Sequence, residues 1–223
     1  MAEAAELRQR LADGAHDLGI VLTDAQGVAL MTLLDELIEW SGRFNLTGIR
    51  DPADMLTKHV LDSLTVHPHL RGDSVADVGT GAGFPGLPLA VVDPERRFTL
   101  IEATTKKARF VEHAVARLGL TNVRLVNARA ERYRPDGAGF DSVVARALGE
   151  LAEFVRVAGH LCAPEGKLLA MKGKSPQAEI DRVPRGWRVA AVRRLHVPGL
   201  DAERHLVELA RASPPDHTRR RHR

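Results

Sequence analysis

The stretch 75–88 joins a short apolar run to a turn that is unusually rich in glycine. The run contains the acidic residue Asp77 near its end, and three glycines follow at alternate positions, Gly79, Gly81 and Gly83. Glycine adopts positive φ readily and leaves no side chain between the main chain and a ligand. Pro85 suits the first turn of a helix, where its missing N–H costs nothing. The stretch therefore predicts a strand, a glycine turn and a helix, the arrangement that binds nucleotide-like cofactors in α/β sheets.

Two classes of cofactor fit this turn. Gly81-x-Gly83-x-x-Gly86 satisfies the dinucleotide fingerprint, and Glu102 lies about 20 residues on, where a carboxylate that binds ribose is expected. NAD and S-adenosylmethionine both carry an adenosine ribose, so this spacing admits either. Asp77 with glycines two, four and six residues later favours S-adenosylmethionine, which carries a cationic sulfonium and ammonium and no pyrophosphate. The flanking strand and helix disfavour a glycine turn without a ligand.

Composition limits the class of protein. With 223 residues and 44% hydrophobic content, the chain can bury the core of one domain plus an appendage. The single cysteine, Cys162, excludes an intramolecular disulfide and a cysteine-rich zinc site. No apolar run approaches the roughly 20 residues that span a membrane, and residues 1–3 do not open a signal peptide. We expect a cytoplasmic protein without membrane association, and a monomer.

The positive charge is concentrated at one end of the chain. Residues 211–223 contain five arginines and one aspartate, a net charge of +4, so the other 210 residues carry −1 of the total +3. The arginine-rich tail, 213–223, is predicted to be disordered. Weak attraction to phosphates and no role at all both stay open for the tail. The nearly neutral body says little about its partner.

Residues 1–70 are predicted to form a helical N-terminal extension. Thr23-x-x-Gln26 is a capping-box pattern that opens the second helix, and Asp51-Pro52 opens the third. The three helices are predicted over residues 3–19, 23–42 and 51–67.

Residues 71–212 are predicted to form a Rossmann-like α/β domain. Apolar runs typical of strands alternate with helical segments, which favours a mostly parallel, doubly wound sheet. Only a short Pro198-Gly199 turn region divides the last two strands, so we expect a final antiparallel hairpin. Seven strands, the last one antiparallel, fit the methyltransferase sheet better than the six parallel strands of an NAD domain. The predicted strands are 75–79, 97–102, 123–127, 141–146, 167–172, 187–197 and 205–211, and the helical segments are 84–92, 106–118, 129–133 and 149–162.

Polar residues follow the predicted strands at the edge where open α/β sheets bind ligands. Asp77 is expected to pair with the ammonium of the methyl donor, directly or through water, and the alternative is that it caps the glycine turn. Glu102, at the end of the second strand, is expected to bind the ribose hydroxyls. Ala130 and Glu131 follow the third strand and are expected beside the adenine, with a solvent-facing Glu131 as the alternative.

Arg146 ends the fourth strand and needs a partner, because a buried arginine is costly without one. A carboxylate, the substrate or the cofactor should meet it, and Lys172 takes a similar place after the fifth strand. In the extension, His59, Asp62 and Ser63 share one helical face. No third ligand accompanies His59 and Asp62, so no metal site is expected. This face either packs on the sheet domain or forms a wall towards the substrate.

Five segments together resemble the RsmG (GidB) family, in order from about residue 20 to residue 210. These bacterial enzymes methylate N7 of one guanine in small-subunit (16S) ribosomal RNA. The resemblance implies an S-adenosylmethionine-dependent Rossmann-like domain with a helical N-terminal extension. The segments are Phe44-Asn45-Leu46-Thr47 after Trp40, Lys58-His59-x-x-Asp62-Ser63, Asp77-Val78-Gly79-Thr80-Gly81-Ala82-Gly83-Phe84-Pro85-Gly86, Ser142-Val143-Val144-Ala145-Arg146-Ala147 and Leu200-Asp201-x-Glu203-Arg204-His205-Leu206.

The resemblance also implies roles for single residues. Phe84 stands where the family commonly has leucine and Glu102 where an aspartate is frequent, and both exchanges keep the chemistry. The first twenty residues and the arginine-rich tail lie outside the family pattern. By position, the implied cofactor contacts are Gly79, Phe84, Ala130, Glu131 and Arg146, with Glu102 on the ribose.

Guanine N7 carries no proton, so its attack on the methyl sulfonium needs no general base, and positioning should dominate catalysis. Arg146, Asn45 and His59 are the candidates for holding the guanine. Because N7 lies in the deep RNA major groove, which side chains do not readily enter, the target should be a loop nucleotide of ribosomal RNA or of a small ribosomal subunit.

Three other functions stay open from the residues alone. A small-molecule methyltransferase would use the same cofactor, with the helical extension as its lid. An NAD-linked oxidoreductase would need a second catalytic domain, for which only about 70 helical residues remain. A non-catalytic RNA-binding module would not need Asp77, Glu102 and three glycines together.

Overall fold

Seven strands form one mixed sheet in the computed structural model of the chain, which describes residues 2–212. In chain order they are β1 Ser74–Val78, β2 Arg97–Ile101, β3 Val123–Val126, β4 Phe140–Arg146, β5 Cys162–Lys172, β6 Trp187–Leu195 and β7 Arg204–Arg211. The order across the sheet is β3-β2-β1-β4-β5-β7-β6. The first five strands are parallel, and β7 runs antiparallel to both of its neighbours. The predicted α/β class with an antiparallel last strand is confirmed. The predicted disorder of 213–223 lies outside the described residues.

Helices precede the sheet and connect its parallel strands. They are α1 Ala2–Asp17, α2 Asp24–Phe44, α3 Pro52–Met55, α4 Asp62–Leu64, α5 Gly86–Val92, α6 Thr105–Leu118, α7 Leu151–Ala158 and α8 Gln177–Ile180. Short 3₁₀ turns cover His67–His69, Ala130–Arg132 and Gly159–Leu161. None of the helices within residues 2–212 is long and apolar enough to cross a membrane.

Local chemistry explains where the helices of the extension begin. The Thr23 hydroxyl accepts a hydrogen bond from Gln26 N at 3.2 Å, and Gln26 Oε1 accepts one from Thr23 N at 3.0 Å, which completes the predicted capping box. Asp51 caps α3 by accepting from Asp54 N at 2.8 Å. The third predicted helix is not uniform, because a π-helical segment, Leu56–Leu61, joins α3 to α4.

The fifth strand differs most from its predicted bounds. The helix predicted over 149–162 ends at Ala158, and β5 begins at Cys162 rather than at residue 167. The ladder pairs Phe140 with Cys162 and then Ser142 with Lys167, so one residue of β4 lies opposite four residues of β5. This irregularity breaks the alternation of apolar residues by which the start of a strand is recognised.

Apolar side chains cover both faces of the sheet. On one face, residues of the extension such as Leu33 and Leu61 join Leu87, Leu100 and Phe110 of the sheet region in a single buried cluster. On the other face, apolar side chains of α7 and of the strands form a second buried cluster. The extension is therefore fixed to the sheet by shared core, while a division of the chain at residue 70 stays a prediction.

Candidate active site

The glycine turn follows β1 and leads into α5. Its three glycines have positive φ: Gly79 67°, Gly81 62° and Gly83 86°. A Cβ atom on Gly86 would lie 2.8 Å from Asp77 Oδ2 and 2.9 Å from Leu100 Cγ, so this glycine lets α5 approach the sheet closely. A Cβ atom on Gly81 would meet nothing nearer than a carbonyl oxygen at 4.0 Å. Gly81 therefore borders open space, where a ligand has room.

Asp77 is fully buried beneath the glycine turn. Its Oδ2 accepts hydrogen bonds from Thr80 Oγ1 at 2.5 Å and from Gly86 N at 2.7 Å. Burial raises the pKa of this carboxyl from 3.8 to about 6, and the Thr80 and Gly86 bonds and the charge of Arg146 oppose that rise. Oδ1 has no hydrogen-bond partner within the described part of the chain. Asp77 thus caps the turn, and its contact with the donor's ammonium stays a prediction.

Glu102 ties the end of β2 to the glycine turn. Its Oε2 accepts from Gly81 N at 2.9 Å, and its Oε1 accepts from Thr104 N at 2.7 Å. The side chain is buried beside Gly81. A carboxylate at this place matches the position expected for binding ribose, and that contact stays a prediction.

The residues predicted beside the adenine lie in a 3₁₀ turn after β3. Ala130 is buried and belongs to the cluster that contains Val78 and Ile101 at the ends of β1 and β2. Glu131 is half-buried. The turn therefore lies near the C-terminal edge of the strands, as an adenine contact requires, and the roles of both residues stay predictions.

Arg146 at the end of β4 meets the extension. Its Nη1 donates to Asp62 Oδ2 at 3.2 Å and to the Lys58 carbonyl at 3.0 Å, and its Nη2 lies 3.2 Å from His59 Nδ1. Asp62 is 2% exposed and also accepts from Arg204 Nε through Oδ1 at 3.1 Å. The carboxylate that the burial of Arg146 demands is thus Asp62, which balances one of two neighbouring guanidinium charges.

Phe84 joins this cluster to the glycine turn. The ring of His59 stacks on Phe84 with a centroid distance of 5.0 Å and an interplanar angle of 25°. The guanidinium carbon of Arg146 lies 5.6 Å from the centroid of the same ring. Since Phe84 directly follows Gly83, the extension lies against the turn at this point. Of the two alternatives for the helical face that carries His59 and Asp62, these contacts agree with packing on the sheet domain.

His59 is uncharged at neutral pH. Burial and the neighbouring charge of Arg146 lower its pKa from 6.5 to about 4. Its Nε2 lies 2.9 Å from the hydroxyl of Thr47. The neutral ring thus bridges Arg146 and the loop that follows α2.

Asn45 has a structural task in this loop. It is the C-cap of α2 with φ 50°, its N–H donates to the Ser41 carbonyl, and its Oδ1 accepts from Arg50 Nη2 at 2.6 Å. No hydrogen bond joins Asn45 to His59 or Arg146 within residues 2–212. Its predicted role in holding guanine stays untested.

Two residues of the cluster, Thr47 and Arg204, are absent from the predicted site, whereas Asp62 belongs to the helical face that was considered together with His59. Each lies in a segment of the family resemblance, which is the sequence signal that points to it. Lys172, by contrast, lies 2.8 Å from Glu179 and donates to the Gly149 carbonyl at 2.6 Å. In the part of the chain that the structure describes, no group of three or more potential metal ligands occurs.

Several solved structures have a similar fold. A SAM dependent methyltransferase from Aquifex aeolicus has a TM-score of 0.56 at 19% identity and covers 74% of this chain and 96% of its own. TrmN from Thermus thermophilus has a TM-score of 0.55 at 21% identity, covering 77% and 53%. Fibrillarin from Aeropyrum pernix, with natively bound S-adenosyl-L-methionine, has a TM-score of 0.52 at 19% identity, covering 64% and 68%. At these identities the likeness shows the fold.

Sequence relatives are much closer. The family model described as rRNA small subunit methyltransferase G matches residues 26–207. Two proteins named Ribosomal RNA small subunit methyltransferase G are 44% identical, from Aeromonas salmonicida, and 48% identical, from Burkholderia vietnamiensis. The first alignment covers 92% of this chain and 99% of the relative, and the second covers 92% of each. The predicted methyltransferase class and the predicted cofactor, S-adenosylmethionine, are thereby confirmed. The chain belongs to the rRNA small subunit methyltransferase G family.

Proposed function

We propose that this chain transfers the methyl group of S-adenosylmethionine to N7 of one guanine in small-subunit (16S) ribosomal RNA. The observation that carries the proposal is the contact between the extension and the glycine turn, where His59 and Arg146 lie against Phe84. It places polar side chains of the family's segments beside the turn that suits the cofactor. Family membership supports ribosomal RNA as the substrate.

The residues around the turn fit S-adenosylmethionine. Open space beyond Gly81 provides room, and Glu102 offers a carboxylate next to it. Asp77 has an oxygen without a hydrogen-bond partner among the described residues, and a cationic ligand nearby would favour its ionised form. When bound, the cofactor supplies an electrophilic methyl group on a cationic sulfonium. The residues proposed to hold it are Asp77, Gly79, Gly81, Gly83, Phe84, Glu102, Ala130, Glu131 and Arg146.

The proposed chemistry needs little from the side chains beyond placement. N7 attacks with its own lone pair, and the chain's residues hold the base at near-attack distance. A neutral His59 does not add positive charge beside a purine that becomes cationic. Asp62 further offsets the charges of Arg146 and Arg204 at 3.2 and 3.1 Å. Arg146, His59 and Asn45 are proposed to position the guanine through contacts other than N7.

The form of the substrate is part of the proposal. A guanine whose N7 is reachable lies in a loop, since the major groove of an RNA helix is deep and narrow. We propose that a small ribosomal subunit or its RNA presents this nucleotide to a monomer of the chain. A cytoplasmic location and the domain division at residue 70 belong to the same proposal.

Transfer of radiolabelled methyl groups tests the proposal. Small ribosomal subunits and naked ribosomal RNA serve as parallel substrates, and the labelled base is identified after digestion. We expect label on guanine N7, and we expect the rate of methyl transfer to be at least about 100-fold lower in Arg146→Ala. Arg188→Ala is the matched control, because this exposed arginine lies on β6, which three strands separate from β1 and its glycine turn.

Two results would contradict the proposal. Label on another atom of the RNA would exclude N7 as the acceptor. Absence of transfer to both substrates, in a protein that binds S-adenosylmethionine, would instead favour a small-molecule acceptor. Cofactor binding and thermal melting of Arg146→Ala, measured in the same preparation, separate loss of chemistry from loss of fold.

A further inference from the structure

The hydrogen bond between Arg146 and His59 determines the tautomer of the imidazole. An arginine side chain has only donors, and Nη2 of Arg146 lies 3.2 Å from Nδ1 of His59. Nδ1 must therefore be the acceptor and carries no hydrogen. In a neutral imidazole the single ring hydrogen then resides on Nε2.

This tautomer decides which way the bond to Thr47 runs. Nε2 of His59 lies 2.9 Å from Thr47 Oγ1, so the ring donates and the hydroxyl oxygen accepts. Ile49 N donates to the same oxygen at 3.2 Å. A hydroxyl oxygen has two lone pairs and one hydrogen to donate. Both acceptor positions of Thr47 are thus occupied.

The hydroxyl hydrogen of Thr47 is left over. Within residues 2–212 no other group lies at hydrogen-bonding distance to accept it. Thr47 is half-buried, and the His59 ring that orients it stacks directly on Phe84 beside the glycine turn. Thr47 is therefore a donor of fixed direction at the edge of the proposed active site, with a free hydrogen and no free lone pair.

We propose that Thr47 donates this hydrogen bond to O6 of the target guanine and so helps to select guanine. The inference rests on the proposed function and names a specificity residue for it. On the edge that carries N7, guanine presents O6 as an acceptor, whereas adenine presents an amino group as a donor. A hydroxyl whose lone pairs are both occupied matches the first and not the second. His59 is the positioning residue that aims Thr47.

A double substitution, in the enzyme and in the base, tests the contact. The target guanine is first mapped by labelling unmodified small ribosomal subunits. Subunits are then reconstituted with either guanine or 2-aminopurine at that position, because 2-aminopurine keeps N7 and the 2-amino group but lacks O6. Thr47→Val removes the hydroxyl at constant shape, and Thr47→Ser keeps it.

The expected result is a coupling between residue and base. Thr47→Val should lower kcat/KM on guanine about tenfold, the size of one lost hydrogen bond, and on 2-aminopurine by less than about twofold. Thr47→Ser should restore the preference for guanine. Thr32→Val serves as the matched control, since the Thr32 hydroxyl bonds only the Val28 carbonyl of its own helix among the described residues. The affinity for S-adenosylmethionine should not change in any of these variants.

Equal losses on both bases would overturn the inference, as would full activity of Thr47→Val on guanine. A purely structural role of Thr47 would lower activity on both bases alike. If Thr47→Val does not fold, wild type and Thr47→Ser still test the contact, because both should discriminate against 2-aminopurine about tenfold. If wild type leaves guanine N7 unlabelled, the proposed function itself fails, which is a different outcome.

Discussion

Two glycines of the same turn are expected to respond differently to an added methyl group, one mainly in cofactor affinity and the other mainly in stability. Gly81 has φ 62° and borders open space, so Gly81→Ala adds only the backbone strain of a left-handed alanine, about 1 kcal/mol. In Gly86→Ala the new Cβ would lie 2.8 Å from Asp77 Oδ2 and 2.9 Å from Leu100 Cγ. Overpacking costs about 1–3 kcal/mol, and disturbing the bond from Gly86 N to the Asp77 carboxylate adds about 1.5 kcal/mol or more.

For a chain of this length 1 kcal/mol corresponds to about 2–4 °C in melting temperature. Gly81→Ala should therefore melt about 3 °C below wild type, and Gly86→Ala about 10 °C below it. The order reverses for the cofactor, because the methyl group of Gly81→Ala enters the space proposed for S-adenosylmethionine. We expect at least about a tenfold loss of affinity in Gly81→Ala, or 1.4 kcal/mol of binding free energy.

Differential scanning fluorimetry and isothermal titration calorimetry measure the two quantities on the same samples. The reasoning is refuted for Gly81 if Gly81→Ala binds S-adenosylmethionine as tightly as wild type. It is refuted for Gly86 if Gly86→Ala melts no lower than Gly81→Ala, since the close approach of α5 to the sheet would then tolerate a side chain.

Further predictions concern buried titratable groups. Asp62→Asn should lower the free energy of unfolding by about 3 kcal/mol, because Arg146 loses the carboxylate that pairs with it, and unchanged urea unfolding would contradict this. The pKa of His59 is lowered from 6.5 to about 4, so its contribution to stability is lost as the pH falls from about 6.5 to 4. The pKa of Asp77 is raised from 3.8 to about 6, so its burial opposes folding increasingly as the pH rises across about 4 to 6. Between pH 6.5 and 4 these two effects on the free energy of unfolding nearly cancel in wild type. Asp77→Asn removes the second effect, so its stability should fall by about 3 kcal/mol more than that of wild type over this pH range. Parallel curves of stability against pH for the two proteins would refute the raised pKa of Asp77. Burial raises the pKa of Cys162 to about 11, so a thiol reagent at neutral pH should label it only after unfolding, and rapid labelling of the native protein would contradict this.

Local sequence chemistry predicts a large part of this fold. The glycine turn, the capping box at Thr23 and the proline after Asp51 each specify backbone conformation within a few residues, and the structure has the expected element at each place. The irregular start of β5 is different, since Pro164 and Glu165 interrupt its apolar pattern and its pairing with Phe140 depends on a distant strand.

The candidate site likewise has one part that local sequence predicts and another that depends on the fold. That Arg146 needs an acidic partner follows from the cost of burying a guanidinium, yet the identity of that partner depends on how the extension packs. Asp62 and Arg204 are 142 residues apart in sequence and meet only through the fold. The free hydroxyl hydrogen of Thr47 likewise depends on Ile49 and His59 in the extension and on Arg146 at the end of β4. No local sequence pattern predicts that these residues meet.

The place of β7 in the sheet has a consequence for how the chain is synthesised. β7 is the last of the seven strands in sequence, yet it lies between β5 and β6. As the polypeptide leaves the ribosome, β6 is complete before β7, its neighbour in the sheet, exists, and β5 keeps an unpaired edge until residues 204–211 follow. Late pairing of this kind slows folding and exposes the nascent chain to aggregation. Because Arg204 begins β7 and completes the charge balance at Asp62, a nascent chain acquires its full site only when the last strand inserts.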